Sequence, residues 1–307
     1  MANKHADNDT VSRHSGKVID RVSDYDIIEC ESCGFRHIVP IPDPVQLKKV
    51  YEEEYYSTEK PDYFKNYEED GEWWSLSYDD RFDFFEKNLS TDRRRILDIG
   101  SGPGFFLRRG KERGWLTLGI EPSRQAAEYS RTLGLEIRNE FLTADTQGLG
   151  QFDVIHMSAV LEHIPDPIGM LEIAHRLLLP GGIVCVVVPN DYNPFQIALR
   201  NACNYKPWWL APPHHINYFE PMSLKHVLQR VGFSIAALST TFPIDMFLLM
   251  GDNYTVDGKL GRQCHGKRKT FELALKKAGL NDLRLKLYEC LIEQNVGREV
   301  VIFGKRN

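Results

Sequence analysis

LDIGSGPGFF, residues 97–106, is the stretch that decides the fold of this chain. An apolar run leads into Asp98, and Gly100, Gly102 and Gly104 follow at alternate positions. This order predicts a buried strand that ends in an acid and a glycine turn. Glycine lets the backbone turn sharply and approach a ligand closely, because a Cβ would occupy that space. The spacing is not the dinucleotide fingerprint, which requires G-x-G-x-x-G.

A second acid, Glu121, stands in LGIEPS (118–123), about 20 residues further on, where a second strand is predicted to end. Its carboxylate can accept hydrogen bonds from both hydroxyls of a ribose. A glycine turn after one strand and an acid after the next describe a nucleoside site without a pyrophosphate. S-adenosylmethionine is such a ligand, whereas the glycine spacing disfavours a flavin or NAD reductase.

Composition excludes several classes of protein. The chain has 307 residues, of which 42% are hydrophobic and 26% charged, and it carries a net charge of -5. This is typical of a soluble globular protein that neither nucleic acid nor anionic lipid attracts. Its longest apolar run is roughly six residues, far below the ~20 that span a bilayer. The N-terminus lacks a signal-peptide core, and six cysteines, four of them scattered, fit a reducing cytoplasm, so we expect a cytoplasmic protein.

Strands and helices alternate from Arg95 onward, which favours a parallel sheet with crossover helices. We predict an α/β, Rossmann-like sheet with helices on both faces. Ligands of such sheets bind outside the carboxyl ends of the strands. The predicted parts are a small Cys/His knuckle (1–45), a helical cap (46–94), the core (95–190), and a substrate-facing segment with a helical insert and the last two strands (191–307).

Four blocks in order and spacing make the core resemble a class I S-adenosylmethionine-dependent methyltransferase. They are LDIGSGPGFF, GIEPS, QFDVIHMSAVLEHIPDP and LLLPGGIVCVVVPN, and the match covers roughly residues 95–188. The resemblance implies a cofactor site whose glycine turn passes under the methionine part and whose strand-two acid binds the ribose. The residues it implicates are Asp98, Gly100, Ser101, Gly102, Gly104 and Glu121, with Ser158 and one of Phe141, Leu142 or Asp145 beside them.

The flanks resemble those of sugar C-methyltransferases and their relatives in surface-polysaccharide gene clusters. The shared features are a Cys-x-x-Cys-Gly knuckle and a later His-x-x-Tyr-Phe segment. This resemblance implies a substrate site that includes His163, His214, His215 and Tyr218. The chain departs from the family pattern because the first Cys pair of the usual four-Cys site is missing.

The paired histidines are the candidate catalytic bases. Histidine titrates near neutral pH, so His215, or failing it His214, can remove a proton from a sugar hydroxyl or from a carbon beside a carbonyl. His163 can assist, although a residue that only lines the pocket fits its position equally well.

The knuckle contains Cys30, Cys33 and His37, and His14 is the first candidate to complete a zinc site of four ligands, with Cys264 and His265 as more distant alternatives. Zinc there would be structural, because a closed site leaves no open position. A metal-free knuckle with two free thiols fits the sequence as well.

A basic run, LGRQCHGKRKTFE (260–272), lies in the insert of an otherwise acidic protein. Arg262, Lys267 and Arg268 are candidates for binding an anionic acceptor such as a nucleotide diphosphate or a uronate. A solvated helix surface is the alternative.

These features predict methyl transfer from S-adenosylmethionine to a small carbohydrate-type acceptor, with proton removal by histidine. A protein or tRNA methyltransferase is a second hypothesis, against which the absence of a basic stripe in residues 1–45 argues. A non-catalytic S-adenosylmethionine-binding protein is a third. Neither the oligomeric state nor the choice between O-, C- and N-methylation follows from the sequence.

Overall fold

The structure is a computed structural model that describes residues 14–43, 47 and 67–307. Its elements up to the middle of the chain are β1 (Gly16–Val22), β2 (Tyr25–Cys30), β3 (Arg36–Val39), α1 (Gly71–Asn88), β4 (Arg95–Ile99), α2 (Phe105–Glu112), β5 (Leu116–Ile120), α3 (Arg124–Thr132), β6 (Ile137–Arg138) and β7 (Phe152–Ser158). The remainder are α4 (Pro167–Leu177), β8 (Leu178–Pro189), α5 (Pro194–Cys203), β9 (Asn217–Tyr218), α6 (Pro221–Val231), β10 (Phe233–Thr240), α7 (Asp245–Leu249), α8 (Gly258–Lys277), α9 (Asn281–Glu293) and β11 (Glu299–Arg306).

The central sheet has seven strands in the order β10-β11-β8-β7-β4-β5-β6. Strands β8 to β6 in that order run parallel, and β10 and β11 pair antiparallel at one edge. Strand β4 lies between β5 and β7, and its residues Ile96 to Ile99 are all buried. Both faces of a parallel sheet are covered by helices, which explains why this strand is nearly continuous in apolar residues. The predicted α/β fold class is confirmed.

Helix starts follow the sequence signals. The side chain of Ser123 accepts a hydrogen bond from the Ala126 amide at the start of α3. Asp166 caps α4 in the same way, and Pro167 occupies its first turn, where a missing N–H has no cost. These caps fix where the chain leaves β5 and β7, so they also position the loops that follow both strands.

Helix α1 is the part of the predicted cap that the structure describes. Its buried face carries Tyr78, Phe82 and Phe85, the helical spacing seen in the sequence, and these rings pack on α2 and β11. The predictions for the rest of the cap at 46 and 48–66, and for residues 1–13 and 44–45 of the knuckle, concern positions outside the described residues. The division into four parts stays a prediction.

A second, antiparallel sheet of four strands has the order β1-β2-β3-β9. Its last strand, β9, comes from a much later part of the chain. Arg36 pairs with Tyr218 and His37 with Asn217. The predicted knuckle and the histidine-rich segment are therefore joined by backbone hydrogen bonds, a connection that the sequence did not indicate.

The insert between β10 and β11 consists of α7, α8 and α9. Helix α8 is tied to α1 through the carboxylate of Glu272, which accepts from the Trp73 indole at 2.5 Å, and α9 through Arg284, which donates to Asp80 at 2.6 Å. The insert thus closes over α1 and one side of the central sheet. Within the described part of the chain, no helix has both the length and the apolar character needed to cross a membrane.

Candidate functional site

The glycine turn lies between β4 and α2, at the carboxyl end of the sheet. Gly100, Gly102 and Gly104 have φ of +68°, +52° and +79°, which L side chains rarely adopt. A Cβ at Gly100 would also lie 2.6 Å from Cγ2 of Val160. Only glycine can make this turn, and the backbone is consequently bare where it faces the cavity.

Glu121 follows β5 and is 5% exposed. Its Oε2 accepts from the Gly102 amide at 2.7 Å and its Oε1 from the Ser123 amide at 2.8 Å. Burial raises the pKa of this carboxyl to about 7, although the two amides oppose the shift. Each oxygen can accept a further hydrogen bond, so the carboxylate is able to bind the two hydroxyls of a ribose.

Asp98 belongs to a buried network that sequence reasoning missed. His156 Nδ1 lies 2.7 Å from Asp98 Oδ1, and an Arg81 Nη1–H donates to His156 Nε2 at 3.0 Å. Arginine has only donors, so Nε2 is the acceptor and Nδ1–H donates to Asp98. Burial lowers the pKa of His156 and favours this neutral form. A histidine inside the apolar strand FDVIHMS was the signal available in the sequence.

These groups line one cavity of about 750 Å³ at the carboxyl edge of the sheet. Its volume lies in the range of about 300–1,000 Å³ usual for small-molecule sites. Its wall includes the predicted cofactor residues Asp98, Gly100, Ser101, Gly102, Glu121, Phe141, Leu142 and Ser158, but neither Gly104 nor the alternative contact Asp145. Ser101 Oγ is buried without a hydrogen-bond partner among the described residues. The glycine turn without side chains, the Glu121 carboxylate that can accept from ribose hydroxyls and the Ser101 hydroxyl together fit S-adenosylmethionine.

An aromatic wall closes the cavity on the side of α1. Tyr67 stacks on Trp74 with ring centroids 4.3 Å apart and on Phe105 with centroids 4.9 Å apart. The Tyr78 hydroxyl donates to the Tyr67 hydroxyl at 2.6 Å. Flat rings stacked this way offer a planar apolar surface to whatever binds beside them.

The predicted catalytic histidines meet at one place, although they come from two loops. His163 lies in the cavity wall and its Nδ1–H donates to the carbonyl oxygen of His214 at 2.8 Å. The His215 ring packs edge-on against it with centroids 4.9 Å apart. Burial lowers the pKa of His163 to about 4, so its imidazole is neutral at physiological pH.

Tyr218 lies in β9 and is 1% exposed, and its hydroxyl oxygen accepts from the Ala211 amide at 3.3 Å. It packs in the core of the small sheet beside Tyr192 and Trp209. The described cavity wall contains His163 but not His214, His215 or Tyr218. A catalytic role for Tyr218 stays a prediction. Its ring lies behind that of His215, with the two centroids 6.5 Å apart.

Glu162 is a further residue that the sequence analysis overlooked. It is 1% exposed, its Oε1 lies 3.8 Å from His163 Nε2, and its Oε2 is buried with no hydrogen-bond partner among the described residues. Burial raises the pKa of this carboxyl to about 8. Its place next to His163 in LEHIPDP was visible, but nothing in the sequence indicated that its carboxyl is buried.

The basic run of the insert lies on α8, and the structure separates its members. Lys267 pairs with Asp252 at 2.7 Å, Arg268 stacks over the Trp73 ring at 4.3 Å, and Arg262 is exposed. Among described residues the cavity wall includes His265 of this helix, whose Nε2 lies 2.7 Å from Asp70, but none of these three cations. Their role in binding an anionic acceptor stays a prediction.

The knuckle residues come together as the sequence suggested. The ligand atoms of His14, Cys30, Cys33 and His37 all lie within 4.8 Å of one another. His14 Nδ1 is 3.3 Å from Cys33 Sγ and 3.7 Å from Cys30 Sγ. Two thiols and two imidazoles are a donor set that zinc accepts.

The sheet, the glycine turn and Glu121 define a class I, S-adenosylmethionine-dependent methyltransferase domain. Residues 71–238, more than half of the chain, match the family model described as "Methyltransferase domain", and the chain belongs to this family. S-adenosylmethionine is accordingly the cofactor of this domain.

Curated relatives match parts of the chain. The ubiquinone biosynthesis O-methyltransferase of Ruegeria pomeroyi is 29% identical over 160 residues, which cover 48% of this chain and 64% of the relative. The enzyme of the same name from Aeromonas salmonicida is 35% identical over 108 residues, covering 33% and 45% respectively. The chain thus spans less than two thirds of the length of these relatives.

Solved structures share the fold at low identity. A SAM-dependent methyltransferase from Archaeoglobus fulgidus superposes with a TM-score of 0.51 at 16% identity, covering 80% of this chain and 99% of that one. Magnesium protoporphyrin IX methyltransferase from Synechocystis, with bound SAH, gives 0.54 at 11% identity, covering 86% and 100%. These similarities concern the fold alone.

Proposed function

We propose that this protein transfers the methyl group of S-adenosylmethionine to a small carbohydrate-type acceptor, such as a sugar nucleotide or a polysaccharide precursor. The observation that supports methyl transfer most strongly is that the glycine turn, Glu121 and His163 border one cavity. A donor held by the first two therefore lies beside a neutral imidazole.

The sulfonium of the cofactor makes its methyl group electrophilic. The protein's tasks are to align acceptor, methyl and sulfur and to remove one proton from the acceptor. The Nδ1–H of His163 donates to the His214 carbonyl, so Nε2 is the ring nitrogen that carries the lone pair and can accept a proton. His215 packs against this ring, and His214 supplies the carbonyl that orients it.

Two observations bear on the acceptor. The knuckle and the segment PPHHINYF (212–219) resemble sugar methyltransferases, and this supports a carbohydrate. The names of the curated relatives support oxygen as the atom that is methylated, and they favour a second candidate, a phenolic ring related to ubiquinone precursors. The aromatic wall of Tyr67 and Trp74 is compatible with both, since sugar rings and phenols stack on aromatic side chains.

A panel of acceptors separates these candidates. The purified protein is incubated with S-adenosylmethionine and either sugar nucleotides or catechol-type phenols, and the release of S-adenosylhomocysteine is measured. We expect turnover with a sugar nucleotide. Turnover confined to the phenols would overturn the carbohydrate assignment, and turnover with neither class despite cofactor binding would point to a macromolecular acceptor or a non-catalytic protein.

The knuckle is proposed to hold one structural zinc ion through His14, Cys30, Cys33 and His37. Burial opposes ionisation of Cys30, but hydrogen bonds from Ser32, the Cys33 backbone and His14 lower the pKa of its thiol to about 5. Elemental analysis should find one zinc per chain, lost when Cys30 and Cys33 are both replaced by Ser. Zinc-free wild-type protein with two titratable thiols would show a metal-free knuckle instead.

A further inference from the structure

Glu162, His163 and His215 form a second group of metal-ligating side chains, here called the Glu–His cluster. One ligand atom from each lies within 4.8 Å of the other two. His163 borders the cavity, so anything bound at the cluster is adjacent to the space where donor and acceptor meet. The cluster is separate from the knuckle, which uses a different set of residues.

Two loops are locked together around the cluster. The carbonyl oxygen of Glu162 accepts from the amides of Ile216 and Asn217 at 2.7 and 3.0 Å. The Asn217 side chain donates in return to the carbonyl oxygens of Leu161 and Ile164, both at 2.8 Å. Asn217 is itself anchored in β9, paired with His37 of the small sheet. The positions of Glu162, His163 and His215 are therefore fixed by the fold, as a preorganised site requires.

The orientation of His163 suits a cation. His163 donates its Nδ1–H to a backbone carbonyl, an arrangement that metal-binding histidines commonly show because it turns the Nε2 lone pair toward the ion. That Nε2 is 3.8 Å from Oε1 of Glu162. Ligands of a tetrahedral ion at the usual bond length of about 2.1 Å are about 3.4 Å apart, so these two atoms are close to the required separation, and the His215 ligand atom lies within 4.8 Å of both.

The carboxylate of Glu162 supplies the independent observation. Its Oε2 is buried without a hydrogen-bond partner among the described residues, although buried polar oxygens are normally satisfied. Asp191 and Glu299 lie close enough to interact with it electrostatically and add negative charge, which Arg298 offsets in part. A cation would satisfy this oxygen.

We propose that the Glu–His cluster binds one divalent transition-metal ion, with Glu162, His163 and His215 as ligands and an open position toward the cavity. One carboxylate and two imidazoles suit Mn²⁺, Fe²⁺ or Zn²⁺, and three protein ligands leave room for an exogenous oxygen. This inference rests on the proposed function in one respect, because the oxygen that occupies the open position is the hydroxyl of the methyl acceptor.

The ion changes how the acceptor loses its proton. A hydroxyl bound to a divalent cation is more acidic, so its proton passes to solvent and the oxygen remains as a metal-bound alkoxide or phenoxide. That oxygen forms the new bond to the methyl carbon while the carbon–sulfur bond breaks. The bonding pair stays on sulfur and gives neutral S-adenosylhomocysteine. In the metal-loaded protein the two imidazoles are ligands, and direct proton uptake by them is not needed.

Mn²⁺ is the probe for this site, because thiolates such as those of the knuckle select softer ions. Binding is followed by the loss of the free Mn²⁺ electron paramagnetic resonance signal, in wild-type protein and in Glu162→Gln and His215→Ala. The matched controls are Glu136→Gln and His226→Ala, both at exposed positions. Calorimetric titration with S-adenosylmethionine checks that each variant retains the fold of the cofactor site.

We expect one Mn²⁺ per chain in the wild type and both controls, and an affinity at least about tenfold lower in each cluster variant that still binds S-adenosylmethionine. Absence of Mn²⁺ binding in the wild type, or unchanged binding in both cluster variants, would overturn the site. Full methyl transfer in the presence of EDTA would support the proposed function and overturn a role for the metal ion in it. Mn²⁺ bound at the cluster without turnover on any acceptor would support the metal site and overturn the proposed function.

Discussion

The cofactor side of the cavity uses residues 97–123, whereas the histidine side joins residues 159–166 to residues 211–219. On the first side, Gly100 and Glu121 each follow directly from the end of a strand, and β4 and β5 are neighbours in the sheet. On the second side, His163 and His215 meet because the backbone and side chain of Asn217 are hydrogen-bonded to the loop that carries His163. The predicted donor side is thus formed by residues close in sequence, whereas the histidine side is formed by contacts between distant segments. Substitutions on the two sides should therefore affect different measurements.

The largest effect should follow replacement of His214 and His215 together by Ala. Loss of the groups that remove or acidify the acceptor proton should lower kcat by about 10²- to 10⁴-fold, the usual contribution of such catalysis. The Kd for S-adenosylmethionine should stay within about twofold, because neither residue lines the described cofactor wall and such distant sites act independently. Steady-state kinetics and calorimetry measure both quantities. Unchanged turnover would mean that neither histidine takes part in the reaction.

Glu121→Gln should produce the opposite pattern. The variant replaces a charged acceptor of two backbone amides and two ribose hydroxyls with a neutral amide, and hydrogen bonds to charged groups contribute about 1.5–3 kcal/mol each. We expect the Kd for S-adenosylmethionine to rise by about 100-fold or more. Glu136→Gln, at an exposed position, serves as the matched control. An unchanged Kd would mean that the ribose is bound elsewhere.

The affinity for S-adenosylmethionine should depend on pH through the same carboxyl. Burial raises the pKa of Glu121 to about 7, so the free folded protein holds this proton more tightly than the unfolded chain does. This group therefore stabilises the cofactor-free fold at acidic pH and loses that contribution as pH rises through about 7.

Ribose binding has the opposite sign, because the ionised carboxylate is the better acceptor. Affinity should fall by up to about tenfold per unit as pH decreases below 7. Calorimetric titrations from pH 8 to 5.5 test this, and the slope should vanish in Glu121→Gln. A slope that persists in the variant would assign the dependence to another group.

The smallest effect should come from the basic surface of α8. Replacing Arg262 and Lys267 by Ala should raise KM for an anionic acceptor about two- to threefold at low salt, since exposed charges act weakly and are screened. KM for a neutral acceptor should not change. Equal KM values for the variant and wild type with the anionic acceptor would leave these residues as a solvated helix surface.

The sequence was sufficient for the sheet and for most of the residues that line the cavity beside the glycine turn. Asp98, Ser101 and Glu121 could be predicted because a strand, a turn and an acid are adjacent in the chain, and parallel strands end at one edge. The caps at Ser123 and Asp166 were readable for the same reason, since capping depends on a few consecutive residues.

The contacts between distant segments could not be predicted. His156 stood out as a polar residue in an apolar strand, but its partner Arg81 lies on a helix 75 positions earlier. The burial of Glu162 depends on a loop that follows it by some 50 residues, held by the hydrogen bonds of Asn217. Nor did the charge pattern of the insert indicate that Lys267 pairs with Asp252. Such contacts are set by packing, for which a single sequence has no short-range signal.

By itself, then, the sequence determined the methyl donor and the edge of the sheet at which it binds, because glycine turns and strand-end acids act within a few residues of chain. Only the tertiary structure decided which histidines and carboxyl groups come together beside the cavity. Strand β9 brings the histidine-rich segment to the small sheet and, through Asn217, to the loop after β7. Glu162, His163 and His215 share a site only once these separate segments have packed together, because side chains that converge from different loops have no spacing in the chain to read.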